Sequence, residues 1–278
     1  MEQIKIKHTL RDAAVKEAFA NPRPYTPPSS YTVKPNIEIE EALDSRTLSV
    51  DAKSHAVYQT TSRIINELFE NEITPEKILN AKSSINSMLS GVISNKITIT
   101  SLIRVSNYDY YTYTHCVNVA VYAVGLAKEL GMSAKELEQI GTGGILHDIG
   151  KSRVDISIIN KPGKLTEDEF TLVKHHPVFG YEILQQQFET DEVILTCVRH
   201  HHEKLNGRGY PDCIKGDDLS IYARIVAICD IFDALSTKRS YKPSLSTFET
   251  LNMMQTKMKD ELDPKLLKLF IHTMGRRE

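Results

Sequence analysis

Ser133-Ala134-Lys135-Glu136-Leu137-Glu138-Gln139-Ile140-Gly141-Thr142-Gly143-Gly144-Ile145-Leu146-His147-Asp148-Ile149-Gly150-Lys151 is the stretch that decides the fold. Ser133 with Glu136 three residues on is a capping box, which satisfies the first free N–H groups of a helix. The helix it opens carries His147 near its end. His147 and Asp148 together offer one imidazole nitrogen and one carboxylate able to bridge two cations, a mixed donor set that suits Fe, Mn or Zn. Gly150 is expected to let the backbone leave the helix sharply, and Lys151 adds a cation beside the pair.

Working outward, the text stays helical. A helix is expected from Tyr113 to Leu130, stopping at Gly131. Thr166-Glu167-Asp168-Glu169 is a second capping box. Later helices are expected over about 177–187, 191–203, 220–236, 246–258 and 264–274, with one longer excursion at 204–219. Upstream, helical text covers about 37–71. Thr74-Pro75-Glu76 then opens another helix with an N-cap residue and proline at the first position. Ile85, Met88, Leu89 and Val92 keep the spacing of a core-facing stripe. Residues 21–30 hold four prolines and read as part of an extended linker over about 21–35. Strand-like alternation is scarce and no repeat is visible, so the fold class is all-α. A boundary is expected near residue 100, with a smaller, mostly helical N-terminal region (1–100) before a multi-helix domain (101–278).

Composition narrows the function. The chain has 278 residues, 41% hydrophobic and 25% charged, as in ordinary globular proteins. A net charge of -2 gives no whole-chain field for DNA or RNA, so any anion site must be local. No apolar run approaches the roughly 20 residues of a membrane span, and Met1-Glu2-Gln3-Ile4-Lys5 does not begin a signal peptide. Cys116, Cys197, Cys213 and Cys229 have no CxxC spacing and read as reduced thiols. A cytoplasmic protein is expected.

Seven of the ten histidines fall between His115 and His202: His115, His147, His175, His176, His200, His201 and His202. Asp148 and Asp230 sit in apolar helical text, where a buried carboxylate must be paired or bound to a metal. A lone histidine here would read as a surface residue. A set spread over several helices reads as a metal centre, because bundles build such sites from inward-facing side chains.

These pieces resemble the HD-GYP domain, a branch of the HD phosphohydrolase superfamily. The matching text is His115-Cys116-Val117-Asn118-Val119-Ala120, Leu146-His147-Asp148-Ile149-Gly150-Lys151, and Lys161-Pro162-Gly163-Lys164-Leu165-Thr166 with Glu169. It continues with His176-Pro177-Val178-Phe179-Gly180 and His201-His202-Glu203-Lys204-Leu205-Asn206-Gly207-Arg208-Gly209-Tyr210-Pro211. Last come Ala223 to Leu235, with Cys229-Asp230-Ile231-Phe232-Asp233, and then Arg239-Ser240-Tyr241-Lys242. The match covers about 104–260.

The resemblance implies two divalent cations per chain, iron first and manganese next, with zinc allowed by the donors. His115, His147, Asp148 and Asp230 would hold one. His176, His201 and His202 would hold the other, with Asp148 bridging. A third metal would need a glutamate where this chain has Tyr111, so none is expected. His175 and His200 are set outside the centre by register. The implied reaction is hydrolysis of cyclic di-GMP to pGpG, and onward to GMP, with a hydroxide between the metals as nucleophile and Asp148 and Lys151 as catalytic groups. Lys151, Arg239 and Lys242 would contact phosphate, with Asp233 beside them. Tyr210, presented by a glycine-rich turn in which Asn206-Gly207 replaces the usual Asp-Gly, would stack a guanine or contact another protein such as a diguanylate cyclase domain.

Three other readings stay open. One is an HD nucleotidase, which His176, His201, His202 and the Gly-Tyr-Pro loop disfavour. The second is a sensor that binds the cyclic dinucleotide without cleaving it. The third is a phosphodiesterase preferring cyclic GMP-AMP. No function attaches to residues 1–100 beyond a helical surface for a homodimer.

Overall fold

The computed structural model describes residues 36–275 apart from Asn71, 107–111, Pro162, Phe188, Thr190 and 238–244. The expected linker over 21–35 lies outside them. Every regular element among the described residues is helical, and the fold is all-α. The order is α1 (Ile37–Asp44), α2 (Val50–Glu70), α3 (Pro75–Ile93), α4 (Ile99–Val105), α5 (Thr112–Glu129), α6 (Ala134–Leu146), α7 (Ile156–Ile159), α8 (Glu167–Val173), α9 (His176–Gln186), α10 (Glu192–His200), α11 (Ile221–Ser236), α12 (Thr247–Lys257) and α13 (Pro264–Gly275). Short 3-10 segments occupy Ile149–Arg153 and Gly216–Asp218.

Local chemistry sets the ends. Thr74 caps α3 with Pro75 at its first position, and capping boxes at Ser133 and Thr166 open α6 and α8. Gly131 adopts φ +70° beyond α5, and the Met132 N–H folds back onto the Ala127 carbonyl. The helical text expected over about 37–71 divides into two helices. Between α1 and α2 the Ser45 hydroxyl engages Thr47, and that of Ser49 accepts from the Ala52 N–H. Such local bonds compete with helix.

α5 is buried from Thr114 to Ala127 and α11 from Ile221 to Asp230, so these two form the centre. A helix apolar all round must be surrounded by others. α5 packs against α2, α4, α6, α11 and α13, and α6 also packs against α3 and α10. A Cβ on Gly144 would lie 2.9 Å from the Ala120 Cα, and one on Gly143 2.5 Å from the Cys197 Cβ. The two glycines thus let α5 and α10 close onto α6 just before His147.

One hydrophobic core runs from Ile39 and Leu43 through Val117 and Leu146 to Leu266 and Phe270. The expected boundary at residue 100 therefore falls inside α4 and marks where the chemistry starts, with apolar packing continuous across it. No described helix is long and apolar enough to cross a membrane. All four cysteines are free thiols.

Candidate metal centre

Three of the histidines are delivered by one device. His147 closes α6, His176 follows the end of α8, and His201 closes α10. The last carbonyls of a helix lack intrahelical partners. Each of these imidazoles donates its Nδ1–H to such a carbonyl: His147 to Gly144 at 2.7 Å, His176 to Val173 at 2.7 Å, His201 to Val198 at 2.9 Å. His115, on α5, donates its Nδ1–H to Asp233 Oδ2 at 2.7 Å. With Nδ1 anchored, each ring turns its Nε2 toward a shared interior point.

The donor atoms fall into two groups, His115 with His147 and Asp148, and His176 with His201 and His202, each within 4.8 Å of one another. Asp148 spans them. Its Oδ2 lies 3.4 Å from His147 Nε2 and 3.7 Å from His115 Nε2, and its Oδ1 lies 3.2 Å from His176 Nε2. Asp230, expected with the first group alone, reaches both: Oδ1 is 3.1 Å from His115 Nε2 and Oδ2 is 3.7 Å from His202 Nδ1. His175 is exposed and His200 binds Asp212 at 2.9 Å, so both lie outside the cluster.

Electrostatics suit a cation. Burial opposes charge on Asp148, yet Lys151 and His147 outweigh it and hold the carboxyl well below its usual range. Burial likewise opposes charge on Asp230, where the His115 hydrogen bond and nearby imidazoles prevail. Burial, helped by neighbouring rings, keeps His201 well below an ordinary imidazole, and burial takes His202 down to about 3. Both are therefore neutral, with lone pairs free. At His115 burial is overcome by hydrogen bonds to Asp230 and Asp233, and the ring is pushed up to about 9. The fit to a metal also rests on two orphans: His147 Nε2 and Asp148 Oδ1 are buried without a hydrogen-bond partner among the described residues. Buried polar atoms left so are costly unless something else satisfies them.

A family model described as "HD domain" matches residues 85–266. The chain belongs to the HD domain family. Among its curated relatives is "Cyclic di-GMP phosphodiesterase PA4108" of Pseudomonas aeruginosa, 33% identical over 195 residues, 70% of this chain and 47% of the relative. Another is "3'3'-cGAMP-specific phosphodiesterase 2" of Vibrio cholerae, 37% identical over 58% of this chain and 31% of the relative. The chain thus spans less than half of either. The solved structure of Bd1817, an HDG"Y"P protein from Bdellovibrio bacteriovorus, superposes with a TM-score of 0.73 at 19% identity, over 86% of this chain and 78% of that one. That likeness carries the fold.

Around the HD centre, Lys151 donates to Asp148 Oδ2 at 2.5 Å and is half-buried. Asp233, expected beside the substrate, has a different setting. It is fully buried, with Oδ2 on His115 and Oδ1 accepting from Asn118 Nδ2 at 2.8 Å and from the Thr237 hydroxyl at 3.1 Å. Enclosed in this way it holds His115. Gly207 takes φ +73° and Asn206 Oδ1 accepts from the Arg208 N–H, so Asn206-Gly207 makes the turn expected of Asp-Gly. Tyr210 then lies 4.8 Å from His202, its ring tilted by 32°. Arg239, Lys242 and Tyr111 lie outside the described residues.

Two residues at this HD site escaped the sequence reading as functional groups. Glu203 is buried and accepts the Asp212 and Ile214 N–H groups at 2.7 and 3.2 Å, which pins the loop carrying Tyr210. Lys174 is half-buried, with its ammonium 4.6 Å from the Phe170 ring centre and 5.6 Å from that of Tyr210. It has no carboxylate partner among the described residues, whereas Lys161, Arg199 and Lys204 nearby are paired. A lysine two residues before His176 was the available signal for it.

Proposed function

We propose that this HD domain is a metal-dependent phosphodiesterase for cyclic dinucleotides, with cyclic di-GMP as substrate. The observation that carries the reading is Asp148, one carboxylate facing two groups of buried imidazoles, with no hydrogen bond to its Oδ1 among the described residues. In this reading His115, His147, Asp148 and Asp230 hold one divalent cation and His176, His201, His202 and Asp148 the other, iron first, manganese next. Such a pair, when bound, polarises a phosphoryl group as a Lewis acid and acidifies water at neutral pH.

The chain's own groups supply the remainder. The Lys151 ammonium sits beside Asp148, where charge building on a phosphoryl oxygen would be countered. Tyr210, lying over His202, offers a flat face for a base. Lys174 at the same rim offers an unpaired cation for the second phosphate of a cyclic dinucleotide. The same loop leaves a surface for a protein such as a diguanylate cyclase domain, and a homodimer through the N-terminal helices belongs to this reading too. The relatives named above support the choice of substrate class and differ in base preference.

The test is metal analysis of anaerobically purified protein together with turnover of cyclic di-GMP and 3′3′-cyclic GMP-AMP, resolving pGpG from GMP. We expect about two Fe or Mn per chain, with Asp148→Ala losing both metal and turnover. Faster cleavage of cyclic GMP-AMP would reassign the substrate. Metal-replete protein that binds but does not cleave would make it a sensor, and protein that takes up no metal would sink the site.

A further inference from the structure

Tyr58 lies on α2, before the span that matches the HD family model, and is 8% exposed. Its hydroxyl donates to Asn118 Oδ1 at 2.6 Å. Asn118, fully buried on α5, donates through Nδ2 to Asp233 Oδ1 at 2.8 Å. Asp233, on α11, accepts the Nδ1–H of His115 on its other oxygen at 2.7 Å. A single buried line of hydrogen bonds thus runs from an N-terminal helix, through the two central helices, to the first histidine of the metal centre.

The direction of that line follows from donor chemistry. A carboxamide has an accepting end and a donating end of nearly equal size. The Asp233 oxygens already receive the His115 Nδ1–H and the Thr237 hydroxyl and act as acceptors, so the Asn118 NH2 end faces them. The Tyr58 hydroxyl secures the opposite end by giving its proton to Oδ1. Asp233, held on this side, takes the His115 proton on Nδ1 and so leaves Nε2 for a cation. Without the phenol oxygen, Asn118 Oδ1 would be buried without a donor, and the amide would lose its reason to stay in this orientation.

We propose that Tyr58 is a positioning residue of the metal centre, acting through Asn118 and Asp233 on His115, so that α2 is part of the functional unit. The inference rests on the reading of His115 as a metal ligand. It implies that a movement of α2 would be felt as a change in the affinity of one cation position and not of both.

The test uses metal-free protein spanning residues 1–278, titrated with Mn2+, with free ion read by electron paramagnetic resonance and folding by the thermal midpoint. Wild type is expected to bind in two steps. Tyr58→Phe, which removes one buried oxygen and keeps the ring, should weaken one step about tenfold and leave the other and the thermal midpoint unchanged. Asp233→Asn should weaken the same step further. The double variant should then be no weaker than Asp233→Asn alone, since the line is already cut. Additive losses, equal weakening of both steps with a lower midpoint, or no change in Tyr58→Phe would each overturn the proposal. Wild type that binds no Mn2+ at all would instead remove the centre on which it rests, a result distinct from normal two-step binding that ignores Tyr58.

Discussion

In the proposed metal centre, a proton and a cation compete for one lone pair at His115. In the metal-free chain the ring stays protonated up to about pH 9. Binding at that position below pH 9 must therefore release a proton, and affinity should fall about tenfold for each pH unit lowered. His201 and His202, held below the ordinary imidazole range, release none between pH 7 and 9. Calorimetric titration with Mn2+ in buffers of different ionisation enthalpy should find a His115 contribution of about one proton per chain at pH 7 that is gone near pH 10, seen as the difference between wild type and His115→Ala. Proton uptake, or no pH dependence, would contradict this account. At the rim, Lys174→Ala should raise KM for the cyclic dinucleotide about three- to tenfold with little change in kcat or metal content, as loss of one phosphate contact predicts. An unchanged KM would remove Lys174 from substrate recognition.

At the scale of elements, two contacts hold the centre open and correctly aimed. A Cβ on Gly150 would fall 1.9 Å from the His176 carbonyl oxygen and 2.4 Å from the Gly180 nitrogen. Backbone meets backbone there, so Gly150→Ala must push the Ile149–Arg153 segment off α9. We expect a loss of about 3 kcal/mol in chemical denaturation and weaker metal binding at the His176 group. Glu203→Gln should free the 204–219 loop, raising KM through Tyr210 while leaving the Mn2+ titration as in wild type. These elements also mark what was legible in the sequence. The capping boxes at Ser133 and Thr166 and the stop at Gly131 are local, so they could be read directly. Gly150 was read as a turn residue because its true neighbours, His176 and Gly180, are distant in sequence. Asp233 was placed beside the substrate for the same reason: its partner His115 lies 118 residues away.

At the scale of the whole molecule, the N-terminal helices are part of the interior. Val57, Ile65 and Leu68 of α2 share a core with Val117 and Val121 of α5. A chain begun at residue 101 would expose that face, and it should be insoluble or lack a cooperative thermal transition. If it folded and bound two metals normally, both the continuous core and the role given to Tyr58 would fail. The division near residue 100 was visible in the sequence because histidines begin there, but the packing across it could not be, since apolar spacing shows that a face is buried and not against what.

The three histidines that end helices carry one more consequence. α6, α8 and α10 all bring their carboxyl ends to the same interior point, and each helix end carries roughly half a negative charge from its aligned peptide dipoles. With Asp148 and Asp230 added, and Lys151 and the protonated His115 set against them, the metal-free centre keeps a negative balance and repels anions. A cyclic dinucleotide, itself an anion, should therefore find no seat until cations have reversed the sign of the field. Metal-free protein should show no measurable cyclic di-GMP binding, and reloading with Mn2+ should restore it, so the order of events is built into the direction in which three helices run.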